Sequence, residues 1–132
     1  MNHEEIFTGV RKCLANVLDI PEQSIRPESK MLDELGGDSL DLLDLMFQME
    51  QRFGISISPR DIERRAIAAL GGRPIEVDGV YTPEAIAELR RSLPEIPVAE
   101  LADGLRVVDL PRRLRVATMV NLVYRLREER NG

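Results

Sequence analysis

Apolar and polar residues alternate along this chain with helical period in most of its length. Ile6, Val10, Leu14 and Val17 recur at three- and four-residue spacing and predict a first helix over 4–18. Glu4 and Glu5 complement its positive end, and Asp19-Ile20-Pro21 closes it. Residues 22–35 lose the period. Pro27 punctuates them, and Ile25, Met31, Leu32 and Leu35 read as anchors that pin a long loop to a helical body. The period returns behind Gly36-Gly37. Asp38 and Ser39 both suit a helix N-cap, and an apolar-rich helix is expected over 39–53.

That second helix carries two apolar stripes. Leu42, Leu45, Met46, Met49 and Phe53 form an inward one. Leu40, Leu43 and Phe47 form another, ringed by Asp41, Asp44 and Glu50. A central helix packed on several sides is one reading of so much apolar surface, and a docking face of exposed apolar anchors in an acidic ring is the other. Residues 54–59 make a turn with Ile55 and Ile57 as anchors. Ser58 reads as an N-cap, with Pro59 in first position and Asp61 in the first turn, opening a short helix over 59–70 that stops at Gly71-Gly72.

Beyond it, residues 75–81 alternate around Asp78-Gly79, a hairpin signal. Thr82-Pro83-Glu84 opens a helix that ends before Pro94. Pro94 to Pro97 reads as extended, residues 98–103 as one more turn closed by Gly104, and Leu105, Val107, Val108 and Leu110 as a return onto the body. The last helix is expected over 114–129, with Val116, Val120, Val123 and Leu126 on one face and Asp109 and Pro111 as its start signal.

Composition narrows the picture. With 132 residues, 43% of them hydrophobic, the chain reads as a single globular domain, 1–132. It has no Trp, three Phe and two Tyr, so its core is aliphatic, which favours packed helices over a β-sandwich. Net charge is −5, and residues 1–53 hold eleven acids against five bases. Partners of that half are therefore basic protein surfaces, and nucleic acid is disfavoured. The Arg clusters further on are interleaved with acids and read as solvated helix faces.

The single cysteine, Cys13, excludes an internal disulfide and a multi-cysteine metal site, and reads as packing. His3, the only histidine, sits near an end expected to fray, which leaves a Ser–His–Asp hydrolase without a base. No metal-ligand spacing occurs, no apolar run is long enough to span a membrane, and no signal-peptide pattern opens the chain. A cytoplasmic, monomeric protein with no catalytic residues is the expectation. Ser24, Ser29, Ser56, Ser58 and Ser92 read as loop, cap or helix-end residues.

Asp38-Ser39 alone would be accounted for by a helix cap. The wider pattern says more: Leu32, then Leu35-Gly36, then Asp38-Ser39-Leu40, then an acidic amphipathic helix ending in Glu50-x-x-Phe53-Gly54. It resembles the prosthetic-group attachment site of acyl carrier proteins. The resemblance covers residues 4–70 and 112–129, and implies an all-α, acyl-carrier-type four-helix bundle. It fails over about 40 residues, 71–110, which stand as an insertion between the third and last helices.

By the same resemblance Ser39 carries 4′-phosphopantetheine as a phosphodiester, and Asp38 helps hold Mg²⁺ while a phosphopantetheinyl transferase (a holo-carrier synthase) installs the arm. Leu40 is an apolar contact for transferase and arm. The helix over 39–53 is the recognition helix, with Asp41, Leu43, Asp44, Phe47 and Glu50 docking acyl-loading, ketosynthase or acyltransferase enzymes through basic surfaces. The implied function is to hold an acyl chain as a thioester and present it to enzymes of fatty-acid or specialised lipid and secondary-metabolite biosynthesis. An aminoacyl or polyketide cargo is the alternative within that class. A carrier-shaped scaffold or regulatory protein without an arm is the alternative outside it.

Overall fold

The structure is a computed structural model and describes residues 1–58 and 60–131, without the side chain of Asn131. Among the described residues five α-helices are joined by short 3₁₀ turns and one small hairpin. Helix α1, His3–Leu18, opens with a reciprocal cap. The Asn2 side chain accepts the Glu5 N–H at 2.8 Å, and the Glu5 carboxylate accepts the Asn2 N–H at 3.0 Å. The His3 ring stacks on Tyr124 at 4.1 Å. The frayed end expected for His3 is thus corrected: a cap and an aromatic neighbour hold it.

Helix α2, Ser39–Phe53, lies against α1. Ile6, Val10 and Leu14 of α1 meet Leu45, Met46, Met49 and Phe53 of α2 in the core. Gly9 makes room for the Phe53 ring, since an added Cβ would lie 2.6 Å from its Cζ. Cys13 is buried beside them, and burial pushes its thiol up, with Arg52 pulling the other way. It is a packing residue with no reactive character.

The long loop between α1 and α2 is pinned as the pattern predicts. Ile25 and Met31 are buried, Leu32 and Leu35 half-buried. Its backbone also pairs with the stretch that leads into the last helix. The Met31 N–H donates to the Leu114 carbonyl, the Val116 N–H to Ser29 and the Ala117 N–H to Pro27. Those bonds fix the approach to Ser39 from outside its own helix.

Helix α3, Asp61–Ala66, is shorter than the expected 59–70 and is followed by a separate 3₁₀ turn, Ala68–Leu70. Ser58 is not its cap. The Ser58 N–H donates back to Asp61 at 2.6 Å and its hydroxyl accepts from Arg64, so an extra turn forms before the helix starts. Pro59 lies outside the described residues.

In residues 71–110 the hairpin pairs β1, Glu76–Val77, with β2, Val80–Tyr81. Both turn residues have positive φ, 52° at Asp78 and 80° at Gly79, as a tight primed turn demands. Helix α4, Pro83–Ser92, follows, with the Thr82 hydroxyl accepting the Ala85 N–H. Its Ala85, Ile86 and Leu89 are buried in the same core as the other helices and pack toward α3. Of the expected return limb, Leu105 and Leu110 are buried, Val107 is half-buried and Val108 is exposed.

Helix α5 spans Val116–Asn131 and packs along α1. Asp109 and Pro111 do not start it. They belong to a 3₁₀ segment, Val107–Arg113, and α5 begins only after the Thr118 hydroxyl has accepted the Arg115 N–H at 3.1 Å. Arg60, Arg64, Arg91 and Arg106 are exposed beside nearby acids, as the solvated-face expectation has it, and two other Arg side chains depart from it. Arg115 is buried against Glu100, and Arg65 reaches Glu129 across the body.

Candidate functional site

The turn before α2 forms because Asp38 and Asp41 satisfy each other. Asp38 Oδ1 accepts the Asp41 N–H at 2.9 Å, and Asp41 Oδ2 accepts the Asp38 N–H at 3.0 Å. Of the two cap candidates the structure uses Asp38, and Ser39 becomes the first residue of the helix. The Ser39 side chain is exposed, as are Asp38 and Leu40. The Leu42 N–H is taken by the Asp38 carbonyl. Among the described residues no group accepts from the N–H of Ser39 or Leu40, which leaves two unpaired helix-end donors beside the exposed hydroxyl, an arrangement that favours an anion.

The surroundings are acidic. Lys30 is the only base between residues 27 and 51, and its ammonium is held by Glu100 at 3.2 Å. Asp33, Asp38 and Asp44 are exposed around the corner with no base among them. On α2, Leu40 is 76% exposed and Phe47 59% exposed, with Leu43 between them. Exposed apolar side chains of this size on one helix face are uncommon in a monomer. Of the flanking acids, Asp44 is exposed, while Asp41 and Glu50 are each committed through one oxygen. Glu50 Oε2 accepts the Ile57 N–H at 2.9 Å and so also holds the turn after α2.

Ser39, Leu42 and Met46 share one stripe of α2 by their spacing. That stripe borders a cleft of about 140 Å³ between α2, α3 and the return limb, walled by Leu42, Met46, Ile62, Leu110 and Leu114. A notch on the other side of Leu42, toward α1, holds only about 10 Å³, room for no more than a water. Of the two openings that flank Leu42, the one toward α3 is thus much the larger.

The cleft is not wholly apolar. Glu63 of α3 lines it and is 7% exposed. Tyr81, brought in by the hairpin, donates its hydroxyl to Glu63 Oε2 at 2.6 Å, and Arg60 pairs with the other oxygen. Burial and the neighbouring carboxylate push the Tyr81 hydroxyl well above its usual range, so it stays a donor. Sequence reasoning missed this group. Glu63 lies beside Ile62 and one turn before Ile67 on the short helix, a place where periodicity alone would have suggested burial.

Two comparisons with known proteins bear on the corner at Ser39. The family described as "Phosphopantetheine attachment site" matches residues 8–73, and so ends where the added segment begins. The chain is 38% identical to an acyl carrier protein of Thermotoga maritima over 63 residues, 48% of this chain and 78% of that protein. It is 36% identical to an acyl carrier protein of Campylobacter lari over 59 residues, 45% of this chain and 77% of that one. No solved structure matches it.

Proposed function

The chain belongs to the acyl carrier protein family, and from that premise we propose that Ser39 is the residue that bears its phosphopantetheine arm. The observation that carries this assignment is the exposed hydroxyl at the first position of α2, beside two helix-end N–H groups free to face a phosphate. The arm, when bound, supplies the thiol that takes an acyl group as a thioester. A carrier of this kind is not catalytic, and this chain's own residues position rather than react. Asp38 fixes the turn through Asp41 and keeps its second carboxylate oxygen uncommitted among the described residues, in place to help hold Mg²⁺ during arm transfer.

Partner enzymes of the transferase and synthase kind follow from the carrier function. We assign their docking to Leu40, Leu43 and Phe47, the exposed apolar face of α2, ringed by Asp41, Asp44 and Glu50. Asp41 and Glu50 each keep an oxygen for a basic side chain of the partner. A phosphopantetheinyl transferase and acyl-loading, ketosynthase or acyltransferase enzymes with basic docking surfaces are the partners this face fits.

The test is the intact mass of the protein after incubation with coenzyme A, Mg²⁺ and a promiscuous phosphopantetheinyl transferase. The wild type gains one phosphopantetheine and Ser39→Ala gains none. A folded wild type that gains nothing overturns the assignment.

A further inference from the structure

The cleft beside Ser39 is built differently on its two sides. Its α2 wall is aliphatic, from Leu42 and Met46. Its far wall is the return limb, residues 107–114, and its floor carries the buried Glu63 carboxylate. Glu63 is held there by Tyr81, so both the wall and the clamp on the floor come from the stretch beyond α3. A carboxylate offers about four lone-pair positions, and Tyr81 and Arg60 occupy one on each oxygen. Acceptor capacity therefore remains on Glu63. Arg60, exposed at the rim, has further N–H groups to give.

A plain hydrocarbon chain drawn into this cleft would cover what remains exposed of the Glu63 carboxyl group and return no hydrogen bond to it. A chain that carries a hydroxyl would donate to Glu63 and could accept from Arg60. Size limits the choice as well. A dry cavity of about 150 Å³ takes a benzene-sized molecule, so a cleft of about 140 Å³ takes a chain of about six carbons.

We propose that the cleft between α2, α3 and residues 107–114 is a cargo site for short hydroxylated acyl chains, read by Glu63 with Arg60 at its rim. The inference rests on Ser39 bearing the arm. It gives the added segment a chemical role, because residues 71–110 supply the Tyr81 clamp and, in Val107 and Leu110, part of the wall that closes the site.

The experiment loads the full-length protein from acyl-coenzyme A with the transferase. Hexanoyl is compared with hydroxyhexanoyl groups that carry the hydroxyl in mid-chain or at the end. Thioester cleavage by hydroxylamine is followed by intact mass, against the matching free pantetheine thioesters. At least one hydroxyhexanoyl group is expected to be cleaved about tenfold more slowly than hexanoyl on the protein, after division by the rates of the free thioesters. The double variant Glu63→Met/Tyr81→Phe removes both buried polar partners together and leaves neither orphaned. It is expected to load normally, to melt cooperatively and to lose the difference between cargoes.

Equal protection of hexanoyl and every hydroxyhexanoyl group on the loaded wild type overturns the cargo site and leaves Ser39 as the arm residue. A difference that survives in a folded double variant overturns the role of Glu63. Failure of the wild type to load at all overturns the assignment of Ser39, and the cargo site with it.

Discussion

Glu100 ties three parts of the molecule together, and replacing it with Gln tests how firmly the added segment is joined to the carrier body. Its carboxylate accepts from Arg115 Nη1 at 3.0 Å and from Nη2 as well, while Lys30 approaches at 3.2 Å. Arg115 opens the last helix and has a buried side chain, and Lys30 stands on the loop that leads to Ser39. The Arg115 hydrogen bonds, with Lys30 in support, hold the Glu100 carboxyl at about 2 against an ordinary 4.5.

Because the folded state depresses this pKa, the stabilisation is present above pH 4.5 and is lost as pH falls toward about 2. The whole shift corresponds to about 3 kcal/mol. Glu100 is a quarter exposed, and solvent screening reduces this to about 1–2 kcal/mol. Glu100→Gln keeps an acceptor but leaves the Arg115 charge buried without its counter-ion, for a cost of about 2 kcal/mol. That predicts a melting point about 6–10 °C lower at pH 7.

Melting followed by circular dichroism across pH is the assay. The gap between wild type and Glu100→Gln should be full at pH 7 and about half gone by pH 3. Coincident melting points at pH 7, or a gap that does not shrink in acid, would refute the reasoning.

The other predictions concern the α1–α2 contact and the corner at Ser39. Gly9→Ala places a Cβ 2.6 Å from the buried Phe53 ring and should cost about 1–3 kcal/mol, read as a lower urea midpoint with an unchanged slope. Asp38→Ala removes the cap of α2. It should cost about 1 kcal/mol and slow arm transfer more than the stability loss explains, measured as the initial rate of mass gain. Phe47→Ala removes an exposed ring, so its stability should stay within about 0.5 kcal/mol of wild type while acyl transfer by a partner enzyme falls. A loss of stability without a loss of transfer would move Phe47 from the docking face to the core.

The sequence makes the helices legible because their signals are local. The apolar stripe of α2, the Asp38-Ser39 start and the Asp78-Gly79 hairpin depend on residues a few positions apart, and the chain adopts each of them. The elements that escape are non-local. Nothing near Arg115 in the sequence announces that Glu100 will bury it, and nothing near Glu63 announces Tyr81, which lies beyond a glycine pair on the second strand of a hairpin. The start of α5 escapes for a similar reason. Asp109 and Pro111 form a local start signal, but backbone pairing with residues 27–31 holds the following stretch extended until Val116. At the candidate site, Ser39 and the exposed face of α2 are written in the motif and the period. The cleft is not, because half of its wall arrives from residues 107–114.

The most direct test of the central claim uses an accident of the sequence. Trypsin cuts after Lys30 and Arg52, and the peptide between them, residues 31–52, contains one serine, Ser39, and no threonine, tyrosine or cysteine. After loading with coenzyme A, Mg²⁺ and the transferase, a tandem mass spectrum of this peptide should show one phosphopantetheine placed on Ser39. An unmodified peptide 31–52 from a protein whose intact mass has risen, with the added group on another serine, would contradict the account.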